Sequence, residues 1–147
     1  MSGRNSRASQ PYRQQSHGPR RDPNRPIELF IRQPYFGMIV RGEKTIEGRV
    51  AYRSLDRAQE GLPLHFKQGL PGSPVARTLI DWTLRAETFE DALLEVRWQD
   101  AIPNVGKFDD ALAIYNRIYP PEKVQEIGGV VLLGFTLQDV IRGNASV

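Results

Sequence analysis

The most constraining feature of the chain is the run Gly128-Gly129-Val130-Val131-Leu132-Leu133-Gly134-Phe135-Thr136-Leu137, almost wholly apolar. A strand with one buried face alternates apolar and polar side chains; a run without alternation hides both faces. It falls well short of the ~20 residues that span a bilayer, as does every other apolar stretch. It is therefore read as a strand in the middle of a sheet or barrel. With 147 residues and 39% hydrophobic content, the chain can fill one compact core and not two, so a single domain is expected around this strand.

The preceding segments supply its neighbours. Alternation in Ile27-Glu28-Leu29-Phe30-Ile31 predicts a first strand. Pro34 fits the first turn of a short helix whose Tyr35, Met38 and Ile39 fall at helical spacing, and Gly42 stops it. Thr45, Ile46 and Val50 fit a second strand; with Ile46 toward the core, Thr45, Glu47 and Arg49 share the opposite face and Lys44 stands at the entrance. Residues 51–62 read as polar. Leu62, Leu64 and Phe66 then alternate as a third strand before the turn-rich GLPGSP, leaving His65 on the other face. Val75 to Ala86 forms a fourth strand, with Leu79, Trp82 and Leu84 assigned to the core. Thr88 caps the helix FEDALLEV, and Phe108, Leu112, Tyr115 and Tyr119 stripe a second helix that Pro120 and Pro121 end. The fold class is α+β: a curled sheet with a short helix after the first strand and two helices before the last.

Charge separates the chain into parts. Residues 1–26 hold six arginines against Asp22 alone, are interrupted by four prolines, and have no aliphatic side chains beyond Met1 and Ala8. Such a segment cannot repay the entropy of folding and is expected to be a disordered, arginine-rich tail. Its arginines suit non-specific phosphate contacts; a solvated extension with no role is the alternative. The folded domain is expected over residues 27–140, with 141–147 as a flexible end. Within it, residues 27–77 carry eight basic and five acidic side chains, and residues 78–147 six and eleven, so the domain is electrically polarised.

The absence of cysteine excludes disulfides, thiolate nucleophiles and cysteine-based metal centres. His17 and His65 are too few and too far apart for a histidine metal site, so neither metal nor cofactor is expected. No signal sequence is recognised; the cytosol is the expected compartment, with the nucleoplasm as alternative, and no membrane partner is expected. Ser54 and Ser73 have no histidine nearby in sequence, and nothing suggests a serine-hydrolase triad.

Chemistry concentrates in Gly42-Glu43-Lys44-Thr45-Ile46-Glu47-Gly48-Arg49, where charges of both signs meet at a turn-to-strand junction. A lysine in a desolvated cleft can lose its proton near neutral pH and act as base or nucleophile. A carboxylate beside it favours the ammonium instead, which holds a phosphate or polarises a carbonyl. With Glu47 and Arg49 adjacent, the pattern leans toward recognition. The competing reading is an exposed ion-pair cluster worth at most ~1 kcal/mol per pair.

Together, the first strand, Arg32-Gln33-Pro34-Tyr35, the short helix, the spacing G-x-K-x-x-E-x-R at Gly42, Lys44, Glu47 and Arg49, the two later helices and the terminal strand resemble the ASCH domain, over roughly Ile27 to Leu137. That family has a pseudo-barrel similar to the PUA RNA-binding domain. The resemblance implies a cleft beside the short helix that binds RNA or a modified nucleoside. Members differ in activity: one branch hydrolyses the acetyl amide of N4-acetylcytidine, some are ribonucleases, and others have a presumed RNA-binding role.

In the amidohydrolase branch the proposed groups are a Lys, a Thr three residues later and a downstream Glu. Lys44 matches the first; Glu47 stands at the Thr position and Asn104 near the Glu position, with Asp100 four residues earlier. Deacetylation is therefore not carried over intact, although Thr45 shares a strand face with Glu47. Two readings stand. In one, an RNA-binding module uses Gln33 on a base edge, Tyr35 as a stacking platform, and Arg49, Arg53 and Lys67 on phosphates. In the other, an enzyme acting on RNA or a nucleoside uses Lys44, Glu47 and Thr45. Tyr115 and Tyr119 are assigned to core packing.

Overall fold

A computed structural model describes residues 22–143; the tail up to residue 21 and residues 144–147, with the expectations placed on them, lie outside the described residues. The apolar run becomes the first half of β5 (Val130–Ile141), which lies between β4 (Val75–Ala86) and β2 (Ile46–Val50). With β1 (Ile27–Phe30) and β3 (Pro63–Lys67) the order is β1-β3-β4-β5-β2. The β1–β3 pair is parallel and the other three are antiparallel. β1 and β2 are thus the two edges of a curled half-barrel.

The lack of alternation in β5 has a direct cause. Val131, Leu133 and Phe135 pack into a cluster with Ile39, Leu64, Phe66 and Ile80, while Val130 and Leu132 enter a second cluster with Ile46, Phe89, Leu93 and Tyr115. The single expected core is therefore divided by β5, with helix α1 (Tyr35–Val40) over the first cluster. Helices α2 (Phe89–Leu94) and α3 (Phe108–Ile118) cover the second. Thr88 caps α2 as its spacing predicted, its hydroxyl accepting from the Asp91 N–H at 3.0 Å.

Three details differ from the sequence reading. Leu79 and Trp82 are exposed and Leu84 is half-buried; Ala76, Thr78 and Ile80 face the first core, and a register shift between Ile80 and Trp82 disturbs the alternation beyond them. Residues 51–62 are not wholly polar in role, since Leu55, Ala58 and Leu62 are buried around a short 3-10 turn, Arg53–Leu55. Pro120 and Pro121 end α3 but also start a further helix, α4 (Pro121–Ile127), because proline is accepted in the first helical turn. Residues 22–26 are fastened to the domain by the Arg57 guanidinium, which donates to the carbonyls of Arg25 at 2.8 Å and Pro26 at 3.1 Å.

Candidate functional site

The loop between α1 and β2 places Lys44. Gly42 takes φ +78°, a conformation that costs glycine little, and the chain turns so that the Glu43 and Lys44 N–H groups both donate to the Met38 carbonyl. Strand β2 then fixes Glu47 and Arg49 through its antiparallel register with β5, Glu47 opposite Leu133 and Arg49 opposite Val131. The predicted face-sharing of Glu47 and Arg49 holds, but the cluster is not on the surface. Lys44 is 2% exposed and Glu47 6%.

Lys44 Nζ donates to the Ile46 carbonyl at 2.6 Å and the Ala101 carbonyl at 2.7 Å, and lies 3.0 Å from Glu47 Oε1. All three neighbours are acceptors. An ammonium satisfies them with its three hydrogens; a neutral amine would turn its lone pair on one of them. Burial pulls the Lys44 pKa below the ordinary lysine range, and the Glu47 charge opposes that pull. Burial likewise works to raise Glu47, but Lys44 and Arg49 outweigh it and hold the carboxyl below its ordinary value. Glu47 is therefore held as a carboxylate, and the three acceptors around Nζ favour the ammonium form of Lys44. The second Glu47 oxygen accepts from Arg49 Nε. Burial opposes the Arg49 charge, but Glu47 more than compensates and raises its pKa.

Arg49 Nη2 donates to the Phe30 carbonyl at 2.7 Å, so a side chain of one sheet edge reaches the backbone of the other. Beside this bridge opens a cleft of about 250 Å³ with Lys44, Glu47 and Arg49 at its floor. Tyr35, Tyr115 and Tyr119 supply aromatic walls, and the Tyr35 ring centroid lies 5.7 Å from Lys44 Nζ. Tyr115 is held by stacking on Phe89 at a centroid distance of 4.5 Å. Its phenol accepts from the Gly48 backbone and is pushed well above the ordinary tyrosine pKa, first by burial and then by the Glu47 charge. Gly48 has no room for a side chain: a Cβ there would stand 3.0 Å from the Tyr115 hydroxyl.

The ASCH domain model matches residues 29–140. The chain belongs to the ASCH domain family. Among solved structures, this ASCH domain is similar to the hypothetical protein PH0355, with 19% identity and a TM-score of 0.67 over 77% of this chain and 99% of that one. It is also similar to PF0455 from Pyrococcus furiosus, with 19% identity and a TM-score of 0.60 over 78% and 98%. For the ASCH protein from Zymomonas mobilis the values are 13% and 0.58 over 84% and 75%. Likeness at these identities carries the PUA-like fold. No curated protein matches the chain.

Of the residues singled out by sequence, the ASCH cleft brings together Lys44, Glu47, Arg49 and Tyr35. Gln33 lies outside it, its side chain donating to Gln68 and accepting from the Gly37 N–H. Thr45 is also outside; its N–H donates to the Asp100 carbonyl and its own carbonyl accepts from Phe135. Lys67 pairs with Glu28 at 3.1 Å, Arg53 lines a separate groove, and Asn104 is exposed. Tyr115 and Tyr119 line the cleft although the helical stripe assigned them to the core. Both readings apply to Tyr115, which is buried, packed on Phe89 and open to the cleft on one side. Among the described residues no group of three potential metal-ligating side chains comes together, and no helix is long and apolar enough to cross a membrane.

Proposed function

We propose that this ASCH domain recognises RNA by taking one unstacked base into the cleft. The observation that carries this reading is the floor of the cleft, where Glu47 bridges Lys44 and Arg49 beneath tyrosine walls. Single-stranded RNA is read by splaying bases onto aromatic side chains and pairing their edges with fixed donors and acceptors. Tyr35 and Tyr119 offer such surfaces, and the Tyr115 hydroxyl offers a donor, since it donates to no other described residue. A volume of about 250 Å³ lies just under the range of drug-sized pockets and suits a single base.

The same geometry favours recognition over hydrolysis. A general base needs a lone pair aimed at the substrate. Lys44 instead spends its hydrogens on Ile46, Ala101 and Glu47. Thr45 does not line the cleft, and Asn104, near the position of the amidohydrolase branch's Glu, is exposed.

The test combines fluorescence anisotropy on single-stranded RNA with mass spectrometry of RNA containing N4-acetylcytidine. The expected result is salt-sensitive binding that weakens in Tyr119→Ala, with the RNA recovered intact. Deacetylated or shortened RNA with the wild type, and intact RNA with Tyr119→Ala prepared in the same way, would replace recognition by catalysis.

A further inference from the structure

We infer that the ligand is an RNA strand, not a free nucleoside, because the cleft continues along β1 into a second, basic groove that follows the same seam of the half-barrel. This rests on the base-binding reading of the cleft and adds to it where the neighbouring phosphates go.

The seam lies between the two sheet edges. One side is the chain from Ile27 to Arg32, the other the chain from Lys44 to Arg57. Both contribute to both hollows, in matching order. Phe30 to Arg32 face Lys44 to Arg49 across the cleft; Ile27 to Leu29 face Arg53 to Arg57 across the groove, a larger hollow of about 650 Å³. The Arg49 bridge to the Phe30 carbonyl marks the boundary between them. The two hollows are therefore successive stretches of one furrow.

The groove has the chemistry that a nucleic-acid backbone requires. Arg25, Arg53 and Arg57 line it against Glu28 and Asp56, and Glu28 is already paired with Lys67. Arg57 is committed to holding the backbone of residues 23–26. The Arg53 guanidinium is exposed and has no hydrogen-bond or ion-pair partner among the described residues. Phe30, whose carbonyl takes the Arg49 bridge, is 64% exposed, and Tyr52, on the segment between Arg49 and Arg53, is 43% exposed. Exposed rings beside a basic groove are the elements of a single-strand platform, where bases stack and arginines track the phosphates.

A free nucleoside has no use for this second hollow, and the two ligands separate cleanly in an experiment. Uridine and cytidine binding would be measured by chemical-shift titration, and binding of a labelled single-stranded RNA hexamer by anisotropy across a salt series. Wild type, Phe30→Ala and Arg25→Gln/Arg53→Gln would be compared as full-length chains, with thermal melts to verify folding. The hexamer is expected to bind about a hundredfold tighter than either nucleoside. Phe30→Ala should weaken the hexamer about tenfold. The double variant should flatten the slope of log K against log salt by about 1.4, two phosphate contacts at roughly 0.7 each. The double variant, whose two arginines line only the groove, should leave nucleoside binding unchanged.

Nucleosides that bind as tightly as the hexamer, or a salt slope unchanged in the double variant, would overturn the strand while leaving the base-binding cleft in place. Competition by poly-glutamate as effective as by RNA would reduce the groove to a general polyanion surface and overturn it too. Failure of both nucleoside and hexamer to bind the wild type would refute the cleft reading, and the strand with it.

Discussion

Replacing Lys44 by methionine tests whether the buried ion pair is integral to the fold. The substitution keeps most of the volume of the side chain and removes its charge, leaving the Ile46 and Ala101 carbonyls without their donor and Glu47 with Arg49 as its remaining charged partner. Removing one member of a buried, hydrogen-bonded pair costs about 3–5 kcal/mol, against at most about 1 kcal/mol for an exposed pair. For a domain of this size each kcal/mol lowers Tm by about 4 °C, so the loss should be roughly 12–20 °C, a large part of a typical stability. The control is Arg41→Ala, which breaks the exposed Arg41–Glu43 pair and should move Tm by no more than a few degrees. Urea unfolding monitored by circular dichroism would report both variants on one scale. A Lys44→Met loss of 1 kcal/mol or less would refute the reasoning, because it would mean that water reaches Glu47 and the two carbonyls in solution.

Two other outcomes follow from the same cluster. Gly48→Ala sets a methyl group 3.0 Å from the Tyr115 ring edge and hydroxyl and 3.1 Å from Leu132, between strand and helix that are both packed, and should cost about 1–3 kcal/mol in urea unfolding while weakening RNA binding. An alanine as stable as the wild type would show that Tyr115 yields easily. For pH, the Glu47 carboxyl is held below its ordinary value, so the folded state binds its proton less readily than the unfolded chain. Its contribution to stability is therefore fully present above the ordinary carboxylate pKa and is lost as pH falls through the folded value. Exposed Glu43 and Asp139 are shifted in the same direction by their arginine partners. The acid loss specific to Glu47 is consequently the difference between wild type and Lys44→Met/Glu47→Gln in urea midpoints from pH 6 to pH 2.5. Parallel curves would contradict the assignment.

Legibility in the sequence followed the range of the interactions involved. The apolar run, the cap at Thr88 and the stripe of α3 are set by neighbours a few residues apart, and each predicted its element. The spacing of Gly42, Lys44, Glu47 and Arg49 likewise singled out three side chains that meet in one cleft. Burial of Lys44 was not legible, because lysine is almost never fully buried and its enabling acceptor, the Ala101 carbonyl, lies 57 residues away. The tyrosine walls were visible as a pattern and assigned only half their role, since helical spacing does not tell a residue that fills a core from one that also borders a cavity. Trp82 was misplaced because a strand's period of two is reset at an irregularity between Ile80 and Trp82 that no local residue announces, whereas Leu79 takes the outward side of the unbroken alternation from Ala76 to Ile80. In α4, Val124 is buried among mostly polar neighbours, and two prolines that read as a stop also open a helix.

The position of β2 at an edge, with β5 as its strand partner, also shapes how the molecule is made. Ile46 pairs with Gly134, so β2 leaves the ribosome long before the strand that will receive it. At 5–20 residues per second, translation from residue 50 to residue 130 takes roughly 4–16 s. During that interval the segment IEGRV lacks its one native strand neighbour, and both of its edges are open, the condition under which strands of different chains pair with one another. Glu47 and Arg49 place opposite charges within that segment, and charged side chains on a strand discourage such pairing. The groups that come to line the cleft are thus gatekeepers first, protecting the nascent chain from its own copies until β5 arrives.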